Sequence, residues 1–117
     1  MSRKLEIRIG AAGDALDRFE AAWNRVLEGR ALRPLEILSF EDLPLLAKTL
    51  SPARWILLQN LREQGPCSIY ELAKRLGRDY KNVHTDVTQL AAIGVLERRA
   101  DGLAAVTWDL LRAELKL

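Results

Sequence analysis

The chain has 117 residues, of which 49% are hydrophobic and 29% are charged, and its formal net charge is +2. This is an ordinary composition for one small globular domain. Its only cysteine, Cys67, excludes an internal disulfide, and its only histidine, His84, leaves too few ligands for a structural zinc site. No apolar stretch is long enough to span a membrane, and the N-terminus lacks the apolar region of a signal peptide. We therefore expect a cytoplasmic protein that needs no metal or cofactor and is not an enzyme.

The first 40 residues predict a strand–helix–strand unit. Residues 3–9 alternate apolar and charged side chains, which is typical of a strand with one buried face. Apolar residues spaced by three and four predict a helix over residues 14–28, and residues 34–39 predict a second strand. Two strands and one helix bury too little apolar surface to be stable alone. This unit must dock on the rest of the chain, on a second copy or on another protein, and we favour a second copy or a partner.

Four helices with start and stop signals of their own are predicted next. The second of them has Trp55, Leu58 and Leu61 on its apolar face. Serine or aspartate before each helix can accept a hydrogen bond from a free backbone N–H of the first turn, and glycine permits the turn that ends a helix. The predicted helices are 39–50 with Ser39 as the N-cap, 51–65 with Ser51 as the N-cap, 68–77 from Ser68 to Gly77, and 79–93 from Asp79 to the stop at Gly94.

A hairpin and a tail follow. Residues 95–99 and 103–108 predict two strands, because the Asp101-Gly102 pair between them is typical of a tight turn, and residues 109–117 predict a last helix. This order of elements is typical of a winged helix-turn-helix: a helix, a short helix, a turn, a longer helix and a hairpin. The predicted fold is therefore α+β. Residues 1–40 would form a dimerisation or partner-binding unit, and residues 41–117 a winged helix-turn-helix with a tail helix.

In that motif the longer helix enters the DNA major groove, and its sequence predicts two different sides. Val83, Val87 and Leu90 recur at helical spacing and should point to the core. Asp86 would repel phosphate, so we expect it to face away from DNA. The candidate DNA-contacting residues lie in the preceding turn, on the outer side of the helix and in the hairpin: Arg78, Tyr80, Lys81, Asn82, His84, Thr85, Thr88, Gln89, Arg98 and Arg99.

The chemistry of these side chains suits double-stranded DNA. Lys81 and Arg78 can neutralise phosphates or reach guanine, and Asn82 and Gln89 carry the donor and acceptor that match adenine in the major groove. The chain's excess of positive charge also lies in this region, since residues 51–108 carry eight basic and six acidic side chains. These features predict a DNA-binding surface on this helix.

Residues 41–99 resemble the MarR-like winged helix regulators of bacteria and archaea. The more specific part of the resemblance is the run RDYKNVH at residues 78–84, within the segment 76–94. The resemblance implies that residues 79–93 form the recognition helix, and that Tyr80, Lys81, Asn82, His84 and Thr85 lie where the family would meet DNA. Small regulators of this type also resemble antitoxins that are encoded beside toxins.

The sequence therefore predicts a sequence-specific transcriptional regulator that binds double-stranded DNA, acts as a homodimer and represses, including at its own promoter. Two alternatives stay open. The protein could be an antitoxin that binds a cognate toxin through its N-terminal unit, or a winged helix module that binds proteins and not DNA.

Overall fold

The computed structural model describes residues 3–10 and 36–115 of the chain. Within these residues the fold is α+β, with four helices, a three-stranded sheet and a two-stranded sheet. The predicted helix over residues 14–28 lies outside the described residues. The described elements are β1 Lys4–Ile9, β2 Ile37–Phe40, α1 Leu43–Thr49, α2 Pro52–Gln64, α3 Ile69–Leu76, α4 Tyr80–Ala92, β3 Glu97–Arg98, β4 Ala104–Ala105 and β5 Leu110–Ala113.

Helices α2, α3 and α4 begin where the sequence predicts, and the reason is local. The Ser51 hydroxyl accepts from the backbone N–H of Arg54 at 3.4 Å, and the Ser68 hydroxyl accepts from that of Glu71 at 3.1 Å. Each bond satisfies one of the first N–H groups of a helix, which have no partner within the helix. Helix α3 ends at Gly77, whose φ of +61° is a left-handed conformation that favours glycine.

The first helix, α1, starts later than predicted. Its N-cap is Asp42, whose carboxylate accepts from the backbone N–H of Leu45 at 2.9 Å. The prediction of Ser39 as the cap was wrong, because Ser39 lies in strand β2. No residue of α1 is fully buried, so this short helix lies on the surface.

The core lies between α2, α3, α4 and the hairpin. The largest fully buried side chains are Leu57, Leu61, Leu72, Val83, Val87, Leu90 and Val95. The indole N–H of Trp108 donates to the carbonyl of Gly94 at 2.9 Å, which satisfies a polar group at the end of α4. Trp55 was expected on the buried face of α2, but 43% of it is exposed.

The two strands of the small antiparallel sheet are shorter than predicted. Residues 97–98 pair with residues 104–105, and the predicted turn at Asp101-Gly102 joins them. Cys67 adds a bridge to Ala104, with backbone N–H···O bonds of 3.2 and 2.8 Å. The hairpin is thereby attached to the loop between α2 and α3, and so to the helical core.

The chain's tail is the main correction to the predicted fold. Residues 110–113 form strand β5 and not a helix, and β5 pairs in parallel with β1, with Leu5 opposite Leu111. Strand β1 also pairs in parallel with β2, so the order in the sheet is β2-β1-β5. The N-terminal strands therefore dock on the rest of the same chain, whereas the sequence led us to favour docking on a second copy or a partner. No helix in the described ranges is long and apolar enough to cross a membrane.

Candidate nucleic-acid interface

Helix α4 has one buried and one exposed side, as its sequence predicts. Val83, Val87 and Leu90 are each 0% exposed, because they pack into the core against the other helices. The polar residues between them, apart from the partly buried Asp86, are exposed on the other side. These exposed residues of α4 are Tyr80, Lys81, Asn82, His84, Thr85, Thr88 and Gln89. Seven of the ten predicted contact residues are thus brought together on one solvent-facing surface, which we call the α4 surface.

The N-terminal end of the α4 surface is shaped by its cap. The Asp79 carboxylate accepts from the backbone N–H groups of Lys81 and Asn82, at 3.1 and 3.3 Å. These two N–H groups are therefore occupied. The ring centroids of Tyr80 and His84 lie 6.0 Å apart, one turn from each other on the helix. Tyr80 is 50% exposed, so much of this residue is open to a ligand on the α4 surface.

Thr85 makes a local hydrogen bond within the same surface. Its hydroxyl donates to the backbone carbonyl of Lys81 at 3.1 Å. The hydroxyl proton is therefore used inside the helix, and the side chain offers an oxygen acceptor and a methyl group to a ligand. A threonine methyl is a suitable contact for the methyl group of thymine.

Arg78 lies beside the α4 surface, and its guanidinium is already paired. Its Nη2 is 2.8 Å from Oδ2 of Asp86. The other carboxylate oxygen of Asp86 accepts from Nε of Arg54 on α2, at 3.1 Å. The side chains of Arg54 and Asp86 are each 14% exposed and that of Arg78 is 28% exposed. Asp86 thus lies between two guanidinium groups, and its negative charge is compensated.

Arg54 also connects to the outer side of α4. Its Nη2 donates to Oε1 of Gln89, and its Nη1 donates to the backbone carbonyl of Thr49 at 3.1 Å. Sequence reasoning missed Arg54 because it stands 32 positions before Asp86 and 35 before Gln89. No helical or strand spacing could have paired residues so far apart.

The two predicted hairpin residues, Arg98 and Arg99, are both exposed. Nη2 of Arg99 is 3.3 Å from Oδ2 of Asp101, across the turn. Arg98 makes no ion pair with any residue that the structure describes. It lines a shallow depression that also involves Gly94 and Trp108, so it lies near the C-terminal end of α4.

Cys67 lies away from solvent, in the bridge to Ala104. Burial raises the pKa of its thiol, and the positive charge of Arg75 opposes this only in part. The thiol is therefore protonated at neutral pH and a poor nucleophile. Among residues 3–10 and 36–115, no three cysteine, histidine, aspartate or glutamate side chains are grouped as metal ligands.

Residues 49–113 match the model of the HVO_A0114 family. This is more than half of the chain, and the protein belongs to this family. The matched segment contains α2, α3, α4, the hairpin and β5, and therefore the whole candidate interface. Neither the curated proteins nor the solved structures contain a match to the chain.

Proposed function

We propose that the protein is a MarR-like transcriptional regulator that binds double-stranded DNA in a sequence-specific way. In this proposal α2, α3, α4 and the hairpin form a winged helix-turn-helix, with α4 as the recognition helix. The order of the elements supports it, since α3 and α4 are separated by a short turn at Gly77 and the hairpin follows α4 directly.

The observation that carries the proposal is the division of α4 into two sides. A helix that fills a major groove must be anchored by one side and must present hydrogen-bonding groups on the other. In α4, three apolar residues are completely buried, and every residue of the opposite side that the sequence predicts to contact DNA is exposed. The exposed groups include an amide at Asn82, a cation at Lys81 and the hydroxyl of Thr88.

The charges near α4 are compatible with phosphate. The carboxylate of Asp86 would repel DNA, but two guanidinium groups compensate it. The positive charges near α4 exceed the negative charges by one, since Arg54, Arg78 and Lys81 are opposed by Asp79 and Asp86. Affinity would therefore come from a few phosphate contacts together with base contacts, and its salt dependence would correspond to a small number of released counterions.

In the proposed mechanism two copies of the chain bind a pseudo-palindromic site. The two α4 helices would enter successive major grooves, about 34 Å apart. Occupation of such a site within a promoter would block access of the transcription machinery. Lys81 would contact phosphate and Asn82 would contact adenine.

The direct test is fluorescence anisotropy with labelled duplexes that tile the region upstream of the protein's own gene. Titrations at several salt concentrations would compare the wild type with Lys81→Ala and Asn82→Ala. Lys4→Ala is the matched control, because Lys4 is an exposed lysine on β1, outside the helices and the hairpin.

We expect Lys81→Ala to weaken binding to every duplex and to reduce the salt slope by about one unit. Asn82→Ala should reduce the preference for the best duplex over the others, by about 1–3 kcal/mol for one lost base contact. Lys4→Ala should behave as the wild type. A wild type that binds no duplex at low salt, or an Asn82→Ala variant with unchanged preference, would contradict the proposal.

A further inference from the structure

The Arg54 side chain has three partners, one on each of its nitrogen atoms. Nε donates to Asp86, Nη1 donates to the backbone carbonyl of Thr49, and Nη2 donates to Oε1 of Gln89. All three partners lie on helices other than that of Arg54: Thr49 is at the end of α1, and Asp86 and Gln89 are in α4. A planar guanidinium held at all three nitrogens has one orientation. Arg54 is therefore a fixed group beside Gln89.

This fixed group determines which way the Gln89 amide points. A guanidinium only donates hydrogen bonds, so the atom that meets it must be the amide oxygen and not the amide nitrogen. The NH2 group of Gln89 then points away from Arg54. Gln89 is exposed, so its amide nitrogen presents N–H donors to a ligand on the α4 surface.

We propose that Arg54 is a specificity-determining positioning residue, which makes Gln89 a hydrogen-bond donor toward guanine. The inference rests on the proposed function, since it concerns bases read by α4. A free glutamine amide pairs with adenine through its oxygen and nitrogen together. With its oxygen bound to Arg54, Gln89 instead offers its N–H groups to N7 and O6 of guanine, which are both acceptors.

The test is base preference at a single position of the binding site. Binding sites would be selected from a randomised duplex library with the full-length wild type. The base pair read by residue 89 is the one whose preference collapses in Gln89→Ala. Affinities would then be measured on four duplexes that differ only at that pair. Arg54→Met is the key variant, and Arg62→Met is its control, because Arg62 is an exposed arginine on the same helix.

We expect the wild type and Arg62→Met to prefer guanine at this pair, on the order of tenfold over adenine. Arg54→Met should lose this preference or shift it to adenine, because the amide can then rotate. Gln89→Glu is a second variant that leaves Arg54 in place. Its carboxylate still accepts from Arg54 but has no N–H donor, so the guanine preference should again disappear. This variant keeps the donor role of Gln89 testable even where Arg54→Met does not fold, because an unchanged guanine preference would contradict that role.

Three results would overturn the inference while the proposed function stands: an adenine preference in the wild type at this pair, an unchanged guanine preference in folded Arg54→Met, or an unchanged guanine preference in Gln89→Glu. Failure of the wild type to select any duplex would overturn the proposed function and this inference with it. The two failures are therefore distinguishable.

Discussion

Nη2 of Arg78 lies 2.8 Å from Oδ2 of Asp86. Arg78, which the sequence predicts to contact a DNA phosphate, is therefore paired with a carboxylate on α4, the helix that follows it. The same carboxylate binds Arg54 through its other oxygen. Because Arg78 already has this partner, and Lys81 is fully on the exposed side of α4, the two cations should act differently in DNA binding.

The first prediction compares these two cations. Arg78→Ala should leave the salt slope of DNA binding nearly unchanged, because its guanidinium is paired with Asp86 and only 28% exposed. Lys81→Ala should reduce the slope by about one unit, as one phosphate contact is lost. Anisotropy titrations over a range of salt concentrations measure both slopes. Equal losses of slope in the two variants would show that Arg78 exchanges Asp86 for phosphate.

The second prediction concerns stability. Asp86→Asn should lower the free energy of unfolding by about 1–3 kcal/mol, because two largely buried guanidinium groups lose their charged partner. Asp101→Asn is the matched control, since Asp101 and Arg99 are about half exposed. A surface pair of this kind contributes at most about 1 kcal/mol. Urea denaturation followed by circular dichroism measures the free energy of unfolding of both variants. Equal losses in the two variants would contradict the role of Asp86 as the shared partner of Arg54 and Arg78.

The third prediction tests the two sides of α4. Leu90→Ala should cost about 2–5 kcal/mol, because it removes a side chain that is 0% exposed and leaves a cavity. Thr88→Ala, two positions away on the exposed side, should change stability by no more than about 0.5 kcal/mol. The same urea titrations provide the values. A small loss for Leu90→Ala would show that α4 is not anchored by this side.

The fourth prediction concerns acid. The backbone N–H of Arg3 donates to Asp109 at 2.7 Å and lowers the pKa of this carboxyl below its ordinary value of 3.8, with a further contribution from Arg62. A lowered pKa in the folded state stabilises the protein above the ordinary value, and this stabilisation is lost as the pH falls through the lower, folded-state pKa.

Thermal unfolding of the wild type and of Asp109→Asn, measured from pH 6 to the lowest pH at which both fold, tests this. The advantage of the wild type should be constant above the ordinary pKa and should shrink below it. Asparagine keeps an acceptor for Arg3 but does not titrate. A difference in thermal stability between the two proteins that stays constant down to the lowest pH would contradict the lowered pKa of Asp109.

The features that the sequence predicts well are those set by neighbours along the chain. Ser51, Ser68 and Asp79 each bond to an N–H two or three residues later, so the starts of α2, α3 and α4 follow from spacing alone. The two sides of α4 likewise follow from the helical period of Val83 and its buried neighbours. Local hydrogen bonds and periodicity are the information that a single sequence contains.

The features that could not be predicted from the sequence depend on residues that are distant along the chain. The leucines of residues 110–113 fit a helix as well as a strand, and pairing with β1 decides for the strand. The sequence cannot specify that pairing locally, because Leu5 and Leu111 meet only in the folded chain. Arg54 was missed for the same reason, since its contacts with Asp86 and Gln89 cross from α2 to α4.

In the proposed function a homodimer of this chain binds double-stranded DNA. Sedimentation velocity measures both the dimer and the complex, with the purified protein alone and with a duplex from its own upstream region. We predict a dimer of the 13.2 kDa chain that shifts as one complex with the duplex at low salt and is released as salt rises. A monomer whose sedimentation is unchanged by every duplex from that region would contradict the claim.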